Sequence, residues 1–586
     1  MNDHRRVAGG LSFLVAVLLV CGAVPRRAQS ASVSLRSSHL SPVSGSVVLT
    51  ADVPPDPELL AVQFKLDGYV LDAPDSTRPY EVVWSAASAS NGEHRLTAEA
   101  RYRSGAVSES TPLRLSVVNP PTFNRTLHVD AEHGDDGKDG TSPATAWRTL
   151  DKASRSVLAG DTVLLRGTFG AQQIRPATSG TPEKPITFRS SPGQTAVLNG
   201  GSSGVAVRLE TCSYIVLDGL RIQNVVGYAI QIGPGGHHNV VRNAYLTKSG
   251  TAAVWGHAIK IIESSDNLIE RNQIIDTGDE RANSGDGIYI VSAAHRNRIL
   301  DNTLRDGGHS LIQMGSQQST APSTDNVIAG NTLSNSYATG IILAYGNERT
   351  LIERNRISDA ARNGVNHARA GIQIQSRDNI VRHNEVFNNA AAGVVLLAYV
   401  YNGTIPQDAI GNQIYHNVLY GNGSYGLFIS EKHGRAVRDN LIANNIIFRN
   451  DGFAWSGGTY TIGIEHYQNP TAWPVGSLNG NRFVSNIVLR QPGTAGEPLV
   501  LRIRSHDLGG NLSYTLKQFQ ATHPEAADNL EVDPLFTDEA KRVFTLRPGS
   551  PAAKRGVRIP GVSHHGDAPD IGAFERSPER RSAARP

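Results

Sequence analysis

Residues 267–274 read NLIERNQI and residues 297–304 read NRILDNTL. Both have an asparagine, a hydrophobic residue two places on, then a second asparagine followed in the same way. The phrase returns as NVIAGNTL (326–333), NIVRHNEV (379–386) and NQIYHNVL (412–419). Its second asparagine is read at Asn243, Asn272, Asn302, Asn331, Asn355, Asn384, Asn417, Asn445 and Asn486, in steps of 29, 30, 29, 24, 29, 33, 28 and 41 residues. Asp218, in YIVLDGLRI, is assigned the same slot one repeat earlier. Periods of this size mark stacked repeats.

A second phrase falls between these, a glycine followed by alternating hydrophobic residues: Gly287-Ile288-Tyr289-Ile290, Gly340-Ile341-Ile342-Leu343, Gly371-Ile372-Gln373-Ile374 and Gly426-Leu427-Phe428-Ile429. Alternation of period two sends successive side chains to opposite faces of a strand. Each repeat is then one coil of short strands with its apolar residues inward, and coils stack about 4.8 Å apart. The recurring asparagine occupies a tight turn and bonds to the asparagines above and below, satisfying groups that would be costly to bury unpaired. Leucine-rich repeats would need a denser leucine frame and shorter steps, and a helical solenoid would lack the period of two. The expected fold class is all-β, a parallel β-solenoid.

The rest of the chain fits around this core. The 586 residues exceed one ordinary domain; 58 glycines against 2 methionines suit a turn-rich, strand-rich protein. A net charge of +3 gives no support for nucleic acid as a partner. Arg5 and Arg6, an apolar run from Leu11 to Val20 and Ala28-Gln29-Ser30 read as a signal peptide over 1–30, so the protein is expected to be secreted or held at the cell surface, with no membrane contact after cleavage. Cleavage leaves Cys212 as the only cysteine and hence no internal disulfide. Short alternating strands separated by turns such as Asp67-Gly68 over residues 31–118 argue for a β-sandwich. Asn119-Pro120-Pro121-Thr122 opens a linker over 119–126. The basic segment 576–586 is expected to be disordered. Asp135, Asp136 and Asp139, in an Asp/Gly loop before a short helix expected at 146–156, form either a calcium site or a set of turn-capping carboxylates.

The VQFKLDGYVL, RPYEVVW and NGEHRLTAEA stretches resemble cysteine-free bacterial immunoglobulin-like modules, which implies a spacer or glycan-binding appendage. The asparagine and glycine phrases resemble the right-handed parallel β-helix proteins of the pectate-lyase-like superfamily, over residues 127–575, with VDPLFTD…DIGAFE similar to their closing coil and cap. That resemblance implies a substrate cleft along the strands carrying the glycine phrase. Aligning those strands gives two outward rows. One holds Gln231, Lys260, Tyr289, Ile312, Ile342, Gln373, Val395, Phe428 and Glu465. The other holds Tyr228, His257, Asp286, His309, Thr339, Ala370, Ala392, Tyr425 and Ile462.

Polar members cluster in three successive coils. His257, Asp286 and His309 should stack in one column, the carboxylate orienting both imidazoles, with Lys260 and Tyr289 beside them. Removing or moving the proton next to a uronate carboxylate needs a cation on the carboxylate, a base and an acid, and these residues are candidates for all three roles. Arg369 and Gln373 are candidate substrate-binding residues, with His367 beside them, and Tyr345, Tyr399, Tyr401 and Trp455 are candidate sugar-stacking residues. Two histidines and a carboxylate are also a known metal-ligand set, whose metal the sequence leaves open. SGDGIYI followed by GHSLIQM resembles the polygalacturonase arrangement at Asp286 and His309, but Gly285 replaces its first aspartate, and an inverting hydrolase needs two carboxyl groups. No Asp-Pro-His motif of mannuronan epimerases is present, and no aspartate group of the pectate-lyase kind surrounds Lys260. The expected activity is a polysaccharide lyase or C5-epimerase on an extracellular or cell-wall glycan, acting as a monomer. The alternatives are a non-catalytic glycan-binding solenoid and a glycoside hydrolase.

Overall fold

The structure, a computed structural model, describes residues 33–576 apart from 73, 87–88, 90–91, 104–105, 119–124, 202–203, 251–254, 316–320, 363–368, 402–404, 451–459, 468–477, 491–498 and 506–509. The signal-peptide segment, the Asn119–Thr122 stretch, His367, Trp455 and residues 577–586 lie outside the described residues.

From Thr126 onward the chain winds into coils whose strands form three long sheets, of 14, 12 and 13 strands among the described residues. Pairing between successive coils is parallel, as in Ile259↔Ile288 and Ile288↔Ile312. Inward isoleucines stack coil on coil: Ile230, Ile259, Ile288, Ile312, Ile341 and Ile372 are all 0% exposed. The architecture is the right-handed parallel β-helix, preceded by a small β-sandwich.

The asparagine ladder is continuous. The Asn272 backbone N–H and side-chain amide both donate to Asn302 Oδ1, at 2.9 Å each. The relay continues from Asn302 to Asn331, Asn355, Asn384, Asn417, Asn445, Asn486 and Asn529. A second ladder uses the first asparagine of the phrase, joining Asn239, Asn267, Asn297 and Asn326 and, further on, Asn379, Asn412, Asn440 and Asn481. Asn243 and Asp218 are not rungs. Asn243 lies one residue early, in the left-handed conformation (φ +54°), and the rung there is Ala244, whose N–H donates to Asn272 Oδ1 at 2.9 Å. Asp218 Oδ1 accepts from the Asn243 side chain instead. The residue before each rung is left-handed, and glycine fills that place at Gly330, Gly411 and Gly480.

Asn384 shows what one rung is worth. It is fully buried, donates to Ile352 O and Asn417 Oδ1 at 3.0 and 2.9 Å, and accepts from Asn355 N at 3.0 Å. Asn384→Ala leaves buried amide and carbonyl groups unpaired and should cost about 2–4 kcal/mol. A urea midpoint equal to that of the parent protein would refute the ladder as a source of stability.

The solenoid begins at strand Thr126–Asp130 and a helix at Leu150–Ser156, shorter than 146–156 because Thr149 caps it, accepting from Lys152 N–H, while Ala146 and Trp147 are buried before it starts. The preceding carboxylates act as turn caps. Asp135 accepts from Gly137 N–H, Asp136 from Arg148 and Thr149, and Asp139 from Thr141. VDPLFTD…DIGAFE does not close the end of the stack. Its hairpin, Phe536–Asp538 with Val543–Leu546, packs Phe536 and Phe544 on the outward Phe387, Tyr420 and Phe448 of the solenoid's flank. Arg576 is held there by Asp570.

That flanking strap covers two stacked imidazoles, His383 and His416, whose centroids are 5.2 Å apart. His383 bonds to Ala573 O and His416 receives the Asn444 amide. Burial pushes their pKa values down, to about 4 and about 3. Above the ordinary histidine value neither the folded nor the unfolded state holds these protons. As pH falls through it, only the unfolded chain takes them up, so stability drops until the folded values are reached. Each histidine should cost about 1.4 kcal/mol per pH unit across that window. Urea midpoints between neutral and mildly acidic pH should fall accordingly and should flatten in His416→Gln; an equally steep decline in the variant would count against this origin.

The N-terminal module consists of two antiparallel sheets. Ser34–Ser37, Ser46–Asp52 and Tyr80–Ser85 face Leu59–Leu66, Gly92–Tyr102 and shorter partners across a core containing Val47, Phe64, Trp84 and Leu96. It docks on the outer face of the 14-stranded sheet rather than standing off as a spacer. Tyr69 lies between the guanidinium groups of Arg298 and Arg354, each 5.3 Å from its ring. Tyr69 and Val70 pack on Leu268, Leu300, Val327 and Leu351, and Asp72 pairs with Arg296 at 3.3 Å.

Candidate functional site

The 13-stranded sheet carries the candidate site on its outer face. The relevant strands are β1 (Tyr228–Ile232), β2 (Ile259–Ile262), β3 (Ile288–Val291), β4 (Ile312–Met314), β5 (Ile341–Leu343) and β6 (Ala370–Ile374). Register puts Gln231, Lys260, Tyr289, Gln313, Ile342 and Gln373 in one outward row. Gln313 replaces the expected Ile312, which is fully buried inward. Further on, Gly463 rather than Glu465 pairs with Phe428, so the second row ends two residues before Ile462, at Tyr460.

The second row is Tyr228, His257, Asp286 and then Ser310. Gly287 N–H bonds to Ser310 O, as Ala258 N–H bonds to Asp286 O, so His309 sits one residue before the row. It reaches the same carboxylate regardless. His309 Nδ1 lies 2.8 Å from Asp286 Oδ1, which also accepts from Ser310 N–H at 3.1 Å. Asp286 is 0% exposed. Burial alone would raise its pKa, but the positive field of His309 and contact with both imidazoles outweigh it and hold the carboxyl well below the usual carboxylate range. An ionised Asp286 therefore holds a proton on His309 Nδ1. Nε2 is the remaining ring nitrogen, on a side chain 15% exposed.

His257 is held differently. The Asp286 backbone N–H donates to its Nδ1 at 3.1 Å. Asp286 Oδ2 lies 3.2 Å from the same Nδ1, yet no donor among the described residues is aimed at that oxygen. His257 is packed between Tyr228 and Tyr289, at 5.6 and 4.5 Å between centroids, and is 3% exposed. It supports the dyad from beneath and does not itself face outward. Both histidines are engaged by Asp286 or its backbone, and among the described residues no His, Cys, Asp and Glu side chains group as a metal site.

Two cations flank this dyad. Lys260 Nζ is 3.4 Å from the Tyr228 hydroxyl and 4.8 Å from its ring. Arg369 precedes β6, two coils beyond His309 with Ala338 between them; burial pushes its guanidinium below its ordinary value, and it bonds to Asn283 Oδ1 at 3.3 Å. Among the described residues no carboxylate pairs with either. Gln373 is nearly buried and meets Thr339 at 3.4 Å, while Gln313 Oε1 is buried with no partner among the described residues. Tyr399 packs in an apolar cluster with Val395 and Phe428 on later coils.

Sequence reasoning missed Trp255. It is 56% exposed, and its ring stands edge-on to His309 at 5.5 Å and 65°. It lies outside both repeated phrases, so the only signal was its position two residues before His257. Gly285, where the hydrolase pattern has an aspartate, is left-handed at φ +86°, and a Cβ there would lie 2.3 Å from Gly278 Cα. The backbone at that point excludes a side chain.

Residues 197–330 and 319–430 match the family described as right handed beta helix region. Among curated proteins, the chain is 24% identical over 444 residues to the uncharacterized protein YwoF of Bacillus subtilis (strain 168), covering 72% of this chain and 90% of that one. A stretch of 78 residues is 33% identical to alpha-1,3-galactosidase A of Akkermansia muciniphila, covering 13% of each chain. Among solved structures, the alginate lyase from Paenibacillus sp. str. FPU-7 matches at 18% identity and a TM-score of 0.35, over 59% of this chain and 98% of that one.

Proposed function

We propose that the protein is a secreted polysaccharide-active enzyme, a lyase or C5-epimerase acting on a uronate-containing glycan by general acid/base chemistry. The observation that carries this reading is an imidazole whose Nδ1 is held by a buried carboxylate, leaving Nε2 for a substrate, with a cation on either side that no carboxylate among the described residues pairs with. His309 Nε2 takes the proton from C5 of the uronate. Lys260 or Arg369, on opposite sides of His309, holds the sugar carboxylate and stabilises the negative charge that forms on it. In a lyase those electrons form the C4–C5 double bond and expel the glycosidic oxygen, which the Tyr289 hydroxyl protonates. In an epimerase C5 is reprotonated from the opposite face. A hydrolase is disfavoured, because Asp286 is buried behind His309 and an inverting reaction needs two carboxyl groups at the substrate.

Incubation with alginate, pectate and glycosaminoglycans tests the reading. Ultraviolet absorbance from an unsaturated uronate marks a lyase. Inverted C5 protons in the NMR spectrum of an uncut polymer mark an epimerase. New reducing ends without ultraviolet absorbance would mark a hydrolase and overturn the proposal, as would binding of every polymer without chemical change.

A further inference from the structure

Trp255 is exposed directly beside the candidate base, and its surroundings bear on what covers it. The indole stands edge-on to the His309 ring, with Tyr228, Tyr289 and Lys260 on the neighbouring strands. A face for another protein or a lipid surface would add further exposed apolar side chains. Among the described residues the other large exposed ones, such as Leu40, Val83, Leu158 and Val543, belong to the N-terminal module, the entry cap or the C-terminal strap. A single aromatic ring amid hydrogen-bonding groups suits a pyranose, whose C–H face is apolar and whose rim is hydroxylated. Gly256 after it has no room for a side chain, with Gly227 O 2.4 Å from where a Cβ would sit.

We propose that Trp255 is the stacking platform for a pyranose ring of the glycan and sets the position of that ring against His309 Nε2. The inference rests on the proposed function only in naming the reacting sugar; the stacking itself concerns binding. Its readout is therefore affinity, measured by isothermal titration calorimetry in an Asp286→Asn background so that turnover does not intrude, with tryptophan fluorescence recorded alongside. The probes are oligomers of alginate, pectate and, as a neutral control, xylan. Trp255→Ala should weaken binding of at least one probe roughly tenfold and remove most of the fluorescence change, and Trp255→Phe should restore most of the affinity. In the active parent, Trp255→Ala should raise KM with little change in kcat. Affinities equal in the presence and absence of the indole, including no binding in either, overturn the proposal provided the circular dichroism spectra coincide. Binding that depends on Trp255 in a protein that transforms no glycan would leave the platform standing and remove the enzyme reading alone.

Discussion

A His309→Asn variant is expected to lose about a thousandfold or more of its turnover on the uronate polymer while folding normally and binding glycan almost as before. Asparagine is the informative replacement. Its amide nitrogen takes the place of Nδ1–H and continues to donate to Asp286 Oδ1, so the buried carboxylate keeps its partner. What disappears is the second ring nitrogen, the base. Alanine would mix that loss with the cost of an unpaired buried charge, commonly 3–5 kcal/mol, roughly. Initial rates and a urea midpoint on the same preparation separate the two effects. A His309→Asn protein with parental turnover would show that another group removes the proton.

Asp286→Asn should be nearly as damaging, about a thousandfold to ten-thousandfold in turnover, although its side chain is wholly buried and touches no substrate. The carboxylate accepts from His309 Nδ1–H; a carboxamide presents N–H groups there and drives the proton to Nε2, where the lone pair is needed. Asp286 is thus a positioning residue, and the loss should appear in kcat rather than in KM. A variant that lost affinity while keeping kcat would contradict this role.

Much of the fold was legible because the asparagine phrase repeats wherever a buried turn must be satisfied. The same residues explain where the reading slipped. Asn243 looks like a rung, but asparagine is also tolerated in the left-handed position one residue earlier, so the letter alone does not fix the register. On the site strands the glycine before the inward residue served as the marker, and in β4 Leu311 stands in its place. Leu311 and Ile312 are both buried, which made Ile312 look outward and moved His309 into a row that belongs to Ser310. The grouping of His257, Asp286 and His309 survived because an imidazole is long enough to reach across one residue. Trp255, Asn283 and the docking of Tyr69 between two arginines were hidden for another reason. They depend on loops and on contacts far apart in the chain, which no local period encodes.

The two ladders also divide the coil into a part that cannot change length and a part that can. Five residues separate Asn267 from Asn272, Asn297 from Asn302, Asn326 from Asn331, Asn379 from Asn384 and Asn412 from Asn417. From the second asparagine to the next inward residue of the site sheet the chain takes 10 residues at Asn302–Ile312 but 17 at Asn355–Ile372. Insertions are therefore accommodated beside the site sheet, where they build its walls, and are kept out of the laddered turns. A lineage built on this scaffold can exchange the loops around the site sheet while the stack that holds them keeps its register.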